Sequence, residues 1–566
     1  MVKPVIFVLG ISALPLAQKI KEHLGGQIRG PEGLEGCDAH FENATHAIAR
    51  AFIGSNAIIG LCASGILIRA LAARLRNKVS EPAVVAVAED GSSVVPLLGG
   101  HHGANDLARR IATLTGGHAA ITTASDVRFG ESFDEPGEGM VLANPEDMKS
   151  ATAARLRGED VRQEVTIYRK KGGPRHLVYH PRVLTVGIGC ERGTDPAEVR
   201  QLIADTLEKY NIAEQSVFRH ASIDLKEDEP AIHQFEPVQF FTAEELKAQS
   251  HRIQNPSGIV EQETGTPSVA EAAALALIGE QAELVVPKTK SKRATIAIAK
   301  APQAYFRPNG RWRGTLYVIG VGPGNKETLT PDADFSLWDS SQWVGYSLYL
   351  DLVEFLRIGQ TRHDFPLGAE EDRVRCAINL AKEGKRVALV CSGDAGIYAM
   401  AALVYEIIDR EPCRIEVKVI PGISAFQAAA AKAGAMIGHD FCCISLSDLL
   451  TPWEVIEKRV KSAAEGDFVI SFYNPRSLKR RDQIERAFAI LKPHRPPETP
   501  VVIASSLGRP EEKLKIVKFS DFNPDDVDML TLVMVGSSQS KSFVRGDGGT
   551  YAYTPRGYAR KREATQ

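Results

Sequence analysis

The sequence predicts a multidomain α/β protein, and three observations predict it. Its 566 residues are more than one hydrophobic core usually encloses. Short apolar runs end in glycine-rich turns and lead into small-residue helices along most of the chain, the alternation expected of α/β units. Two stretches rich in charge, glycine and proline, Phe129–Lys149 and Lys288–Arg313, break that rhythm and are expected to be connections.

Near the start, Lys3 followed by Val5–Leu14 and Pro15-Leu16-Ala17 faintly mimics a signal peptide, but Val5–Leu9 closed by Gly10 reads better as a first strand. Ala57–Leu61 reads as a strand whose turn, Cys62-Ala63-Ser64-Gly65-Ile66, opens a helix over Leu67–Leu75. Strands are expected at Ala83–Val87 and Val94–Leu98, then the turn Gly99-Gly100-His101-His102-Gly103-Ala104-Asn105-Asp106, a helix over Leu107–Leu114 and a strand at Ala119–Thr123. A new unit begins at Arg182: Val183–Val186 as strand, Gly187–Thr194 as turn, then Asp195 capping a helix with Pro196 at its first position. Gly265-Thr266-Pro267-Ser268-Val269 starts another small-residue helix. Lys288–Arg313 carries eight basic residues and reads as a tether, with a nucleic-acid arm as the competing reading. The expected boundaries are 1–130, a connecting region 131–181, 182–285, a basic linker 286–313, a unit 314–558 with lobes of about 314–422 and 423–558, and a tail 559–566.

The most informative stretch is Tyr317–Thr330. A buried strand (Tyr317–Ile319) ends in Gly320-Val321-Gly322-Pro323-Gly324, where glycine lets the backbone turn and a ligand approach it. Asn325 stands where a dinucleotide fingerprint needs its third glycine, and the Gly-Lys-Ser/Thr of a P-loop is absent. Pro323 removes a donor, which suits a flat, weakly charged ligand better than a phosphate. Val387–Val390 leads into Cys391-Ser392-Gly393-Asp394-Ala395-Gly396-Ile397-Tyr398, and Val417–Ile420 into Pro421-Gly422-Ile423-Ser424-Ala425. Three such turns are expected to face one crevice at the carboxyl ends of a parallel sheet.

A formal net charge of −2 argues against a chain-wide polyanion-binding role, so no nucleic-acid partner is expected. Eight scattered cysteines with no CxxC pair fit a reducing cytoplasm. No apolar run is long enough to span a bilayer, so no membrane partner is expected.

The glycine turns together resemble the tetrapyrrole (class III) methyltransferases, which use S-adenosylmethionine. Ser445-Leu446-Ser447-Asp448-Leu449-Leu450-Thr451-Pro452-Trp453, Ser471-Phe472-Tyr473-Asn474-Pro475-Arg476-Ser477 and Tyr553-Thr554-Pro555-Arg556-Gly557-Tyr558 resemble the subgroup that methylates precorrin-3B at carbon 17 (CobJ and CbiH). This resemblance covers about 314–558. Gly99–Asn105, Ile188–Thr194, Ala221–Lys226 and Ser268–Ala274 resemble CbiG, the cobalt-precorrin-5A hydrolase, whose carboxyl-terminal domain is related to CobE. This one covers about 45–285.

The first resemblance implies a two-lobed methyltransferase, usually a homodimer through that half, acting in cobalamin biosynthesis on a precorrin. Gly322, Pro323, Gly324, Gly393, Asp394, Gly396, Ser424 and Ala425 are then the expected cofactor contacts, with a plain helix cap as the other reading of Asp394. For the substrate's carboxylates the candidates are Asn474 and Arg476, followed by Lys479, Arg480 and Arg481 on what is otherwise a solvated face. The subgroup contracts the macrocycle as it methylates, and Asp448, Ser447 and Tyr473 are the candidate acid and base, with capping chemistry as the alternative for the Ser-Asp pair. The second resemblance implies opening of a δ-lactone, with His101 or His102, Glu191 and Glu271 as candidate bases. No metal site is expected, because His101, His102 and His118 lack ligand spacing. The family's turn reads Ser-Gly-His-x-Gly-Gly-Ala-Asn; here Gly99 replaces the Ser and one glycine is missing, which keeps a non-catalytic tetrapyrrole-binding module open as the alternative. A nicotinamide-dependent reductase is the third reading, opposed by Asn325.

Overall fold

The computed structural model describes residues 4–53, 57–75, 81–100, 103–122, 139–304, 306–357, 359–477 and 481–558. The chain divides into two compact units, 1–313 and 314–566.

The first unit opens with a seven-stranded sheet: β1 (Val5–Val8), β2 (Gln27–Pro31), β3 (Ala39–Phe41), β4 (Ile58–Leu61), β5 (Val84–Val87), β6 (Ser93–Leu98) and β7 (His118–Ala119), in the order β3-β2-β1-β4-β5-β6-β7. The would-be signal peptide is β1, fully buried at Ile6, Phe7 and Val8, because it pairs in parallel with both β2 and β4. The region expected as a connection, 131–181, is described from residue 139 and has a small fold of its own. There β8 (Met140–Leu142), β9 (Arg162–Val165) and β10 (His176–Pro181) form a sheet, and the helix Met148–Leu156 seats Ala151 and Ala154 against Leu177 and Tyr179.

A third sheet follows, built from β11 (Leu184–Cys190), β12 (Val217–Ile223), β13 (Val238–Phe241), β14 (Glu283–Lys290) and β15 (Ala294–Lys300), in the order β13-β12-β11-β15-β14. The expected cap holds: the Asp195 carboxylate accepts the Ala197 N–H, and Pro196 opens the helix Pro196–Lys209.

The expected tether at 286–313 is overturned here. β15 pairs antiparallel with the central β11 over seven residues, and Ile296, Ala297 and Ile298 are fully buried. The lysines that suggested a linker cluster around the exposed β14–β15 hairpin tip, while the Ala-Ile alternation between them builds the core. Two of its arginines are paired within the unit: Arg293 reaches Glu191 Oε2 at 2.9 Å, and Arg311 pairs with Asp224 at 2.8 Å.

The second unit holds two larger sheets. All strands of the first are parallel: β16 (Thr315–Gly320), β17 (Gln342–Tyr346), β18 (Thr361–Phe365), β19 (Arg386–Cys391) and β20 (Glu416–Ile420), ordered β18-β17-β19-β16-β20. Its inner strands β16 and β19 are near-continuous apolar runs, as strands covered on both faces require, while the edge strands β18 and β20 are more polar and less buried. The second is mixed: β22 (Phe441–Ser445), β23 (Val469–Tyr473), β24 (Pro500–Ser505), β25 (Lys513–Lys518) and β26 (Thr531–Val535), ordered β22-β23-β26-β24-β25. A ribbon of β21 (Gly434–Ala435), β27 (Lys541–Val544) and β28 (Thr550–Tyr553) completes the unit. Among the described residues no helix is long and apolar enough to cross a membrane.

Candidate functional site

β16 lies between β19 and β20, and all three run in the same direction, so their carboxyl ends and the turns that follow share one edge. The turns are fastened to one another by backbone. The Gly322 N–H donates to Gly393 O at 3.1 Å and the Gly393 N–H to Gly322 O at 2.8 Å. A Cβ on Gly320 would stand 2.6 Å from Gly393 O and 2.8 Å from the Gly422 nitrogen, so only glycine lets the three turns close. Asp394 completes the fastening: Oδ1 accepts the Gly396 N–H at 2.8 Å and Oδ2 the Gly422 N–H at 3.1 Å. The helix-cap reading of Asp394 fails, because the next helix starts only at Met400, after Ala399.

Asn325, which excluded a dinucleotide fingerprint, has a local task. Its Oδ1 accepts the Thr328 hydroxyl at 2.5 Å and its amide donates to Glu327 at 2.9 Å, tightening the turn after Gly324. Ser424 begins the helix Ala425–Ala433 and its N–H is held by Gln427 Oε1 at 3.0 Å. Gly393 differs from its neighbours. Its φ is +68°, and a Cβ there would meet only Ser424 and Ala425 backbone at 3.9 Å. The turn therefore leaves a cradle that a side chain would occupy, which fits a ligand lying directly on the main chain.

Tyr473 reaches this edge from β23. Its hydroxyl accepts the Phe426 N–H at 3.3 Å, and its ring lies 5.2 Å from that of Tyr398, two residues beyond the Gly393–Gly396 turn. Burial pushes the Tyr473 phenol well above its usual value. Ser445, at the end of β22, accepts from the Ser447 N–H at 3.3 Å and from Asn474 Nδ2 at 3.1 Å, which joins the two subgroup motifs. Asp448 is tied to Gln483 at 3.0 Å.

Arg476 is placed differently from its expected role. Its guanidinium holds the turn before β26, bonded to Pro524 O at 2.8 Å and to Asp525 Oδ1 at 3.1 Å. Arg481 is exposed. Lys479 and Arg480, like His101 and His102, lie outside the described residues.

Two candidate bases of the first unit are engaged elsewhere. Glu271 is fully buried, and its carboxylate accepts from the Gln254, Asn255 and Lys288 N–H groups and the Asn255 amide at 2.8–3.0 Å. Burial alone would raise its pKa, but these bonds outweigh it and hold the group below the usual range. Such a carboxylate is a clamp joining β14 to the Ser268-capped helix, and a poor base. Glu191 pairs with Arg293. The glycine turn after β6 sits where β5 begins, since β6 is antiparallel to β5 and a Cβ on Gly99 would stand 2.3 Å from Pro82 O. At the opposite end, the carboxyl ends of β4 and β5 frame a crevice of about 370 Å³ lined by Cys62, Ser64, Glu89 and Ser93.

Sequence reasoning missed Tyr398 as a partner of Tyr473, though it closes a motif already singled out, and missed Arg509 altogether. Arg509 lies nearly two hundred residues from the turn it touches, where a Cβ on Gly324 would meet its Cγ at 2.9 Å.

A parallel sheet whose three glycine turns are laced over an open backbone cradle, joined to a mixed second sheet, defines a two-lobed α/β protein with its candidate ligand crevice at the strand ends. Residues 315–523 match the family model of tetrapyrrole (corrin/porphyrin) methylases, and the chain belongs to that family. Residues 46–126 and 184–299 match the models of the amino-terminal and carboxyl-terminal parts of cobalamin synthesis protein G. Curated relatives of the second unit include proteins named as precorrin-3B or cobalt-factor III methyltransferases. The unit is 41% identical over 249 residues to a precorrin-3B C(17)-methyltransferase from a Sinorhizobium species, covering 44% of this chain and 98% of that protein. It is 42% identical over 253 residues to the cobalt-factor III methyltransferase of Priestia megaterium, covering 44% of this chain and 46% of that protein, so it spans about half of that relative. The crystal structure of the methyltransferase CobJ aligns at 39% identity and a TM-score of 0.40, over 43% of this chain and 100% of that one.

Proposed function

We propose that the second unit methylates carbon 17 of precorrin-3B or cobalt-factor III and contracts the ring, and that the first unit is a lactone hydrolase of the same biosynthetic route. S-adenosylmethionine, when bound, supplies an electrophilic methyl group. The residues fitted to hold it are Gly322, Pro323 and Gly324, Gly393, Asp394 and Gly396, and Ser424 and Ala425. The backbone groups left over from the lacing, and carbonyls able to accept a second bond, suit a flat, hydroxylated, zwitterionic ligand. The observation that carries the reading is the mutual Gly322–Gly393 bond pair beneath the open Gly393 cradle.

The chain's own part in the chemistry is placement: holding donor and acceptor in line is worth effective molarities of about 10⁵ M or more. Tyr473, kept protonated by burial, is the group we assign to donate a hydrogen bond beside the macrocycle; Asp448 and Ser447 are the further candidates for acid and base, and Asn474 for substrate contact. The matches to both parts of cobalamin synthesis protein G support the hydrolase reading of the first unit, and homodimerisation through the second is part of the proposal. Radiolabel transfer from methyl-labelled S-adenosylmethionine to the two tetrapyrroles, offered separately, tests the reading; label in neither sinks the substrate assignment.

A further inference from the structure

Arg509 stands at the rim of the cofactor turns with its charge unspent. It is half-buried, and among the described residues its guanidinium makes no hydrogen bond or ion pair. Its position is fixed by backbone contact. The turn Ser506–Arg509 closes through the Arg509 N–H to Ser506 O at 3.0 Å. Gly508, at φ +71°, presses so closely on the other turn that a Cβ would lie 2.9 Å from the Asn325 nitrogen and 3.0 Å from the Gly324 nitrogen. The nearby acid is already committed: Glu512 accepts the Gly508 N–H at 2.6 Å and Lys432 Nζ at 2.7 Å, so it anchors the turn without neutralising the arginine.

Arg373 is no second free cation: it is 3% exposed, and its Nη2 faces Glu370 Oε1 at 3.7 Å and Pro366 O at 3.5 Å. A half-buried guanidinium at this edge, with the adjacent acid bound elsewhere, calls for an anion, and its planar fork of donors matches a carboxylate.

We propose that Arg509 binds a carboxylate of the reactants where its turn meets the Gly322–Asn325 turn. This rests on the methyltransferase reading. Two sources share that chemistry: the amino-acid carboxylate of the cofactor and the acetate or propionate arms of the macrocycle.

Calorimetric titration of the full-length protein separates them. S-adenosylhomocysteine carries the amino-acid carboxylate, and methylthioadenosine is the same nucleoside without it. Uroporphyrin, with eight carboxylates, and coproporphyrin, with four, probe the macrocycle arm. R509Q is expected to weaken either S-adenosylhomocysteine or uroporphyrin at least tenfold, leaving methylthioadenosine within twofold; a charge-assisted bond of ordinary strength accounts for such a loss. Loss on the S-adenosylhomocysteine arm assigns the cofactor as source, and loss on the uroporphyrin arm, smaller for coproporphyrin, assigns the substrate. R509K, which keeps the charge and loses the fork, should fall between, and free guanidinium should partly restore R509Q. Unchanged affinity on both arms overturns the proposal. So does parallel loss of all four ligands in R509Q and R509K alike, which marks a structural role. Because the readout is binding, failure of methyl transfer to precorrin-3B would leave this test standing.

Discussion

Replacing single glycines in the laced turns should separate stability from binding. At Gly393, alanine meets no atom closer than 3.9 Å, so its cost is the φ of +68° alone, about 1–2 kcal/mol for an L-residue in the left-handed region. In a unit of this size that lowers the melting temperature by a few °C. Its methyl group, however, fills the cradle, and S-adenosylhomocysteine should bind at least tenfold more weakly. At Gly320 the balance reverses. An added Cβ stands 2.6 Å from Gly393 O, 2.8 Å from the Gly422 nitrogen and 2.9 Å from the Ala395 nitrogen, all backbone, so the strand ends must part. Overpacking costs about 1–3 kcal/mol. Losing the two Gly322–Gly393 bonds adds about 0.5–1.5 kcal/mol each, for about 2–6 kcal/mol in total. Thermal melting by intrinsic fluorescence and calorimetric titration read the two quantities. G393A binding S-adenosylhomocysteine as tightly as the wild type, or G320A melting unchanged, would refute the reasoning.

Three further outcomes are expected. Y473F should lower kcat at least tenfold while leaving S-adenosylhomocysteine affinity within twofold. Since burial raises the folded-state phenol above its ordinary value of about 10, stability should be intact below about pH 10 and decline as pH rises beyond it, read from melting curves. E271Q should destabilise the first unit by about 2–4 kcal/mol, because the amide oxygen can accept only one pair of the four bonds and its NH2 faces the donors of the other pair. With the wild-type pKa depressed below about 4.5, that contribution is present above pH 4.5 and lost as pH falls through the folded value, which an acid melting series checks. A fragment ending at residue 285 should lose the fold of its last sheet, whereas one ending at 313 should keep it, by circular dichroism; equal spectra per residue would restore the tether reading.

The glycine turns were legible because their signal is local: a buried strand, a turn that only glycine can make, and a small-residue helix are each written within a dozen residues. The capped helix at Asp195-Pro196 was readable for the same reason. What failed depended on distant partners. Lys288, Lys290 and Lys292 looked like a solvated tether because charge dominates the window. Only pairing of Ala294–Lys300 with β11, about a hundred residues away, turns that stretch into core. Glu271 sits where an exposed first-turn glutamate is common. Its burial comes from the loop at Gln254–Asn255 and the strand at Lys288 folding over it. Arg476 looked free because its partners, Pro524 and Asp525, are supplied by a turn some fifty residues on. Arg509 carried no local signal, since its relation to Gly324 exists only after the lobes fold.

The most direct test of the central claim is the product formed by the full-length protein from S-adenosylmethionine carrying a carbon-13 methyl group, with precorrin-3B and cobalt-factor III as separate substrates, read by mass spectrometry and carbon NMR. The account predicts one labelled methyl at carbon 17 of a ring-contracted product from at least one of them. Label at another ring carbon, or an unlabelled and uncontracted macrocycle from both, would contradict it.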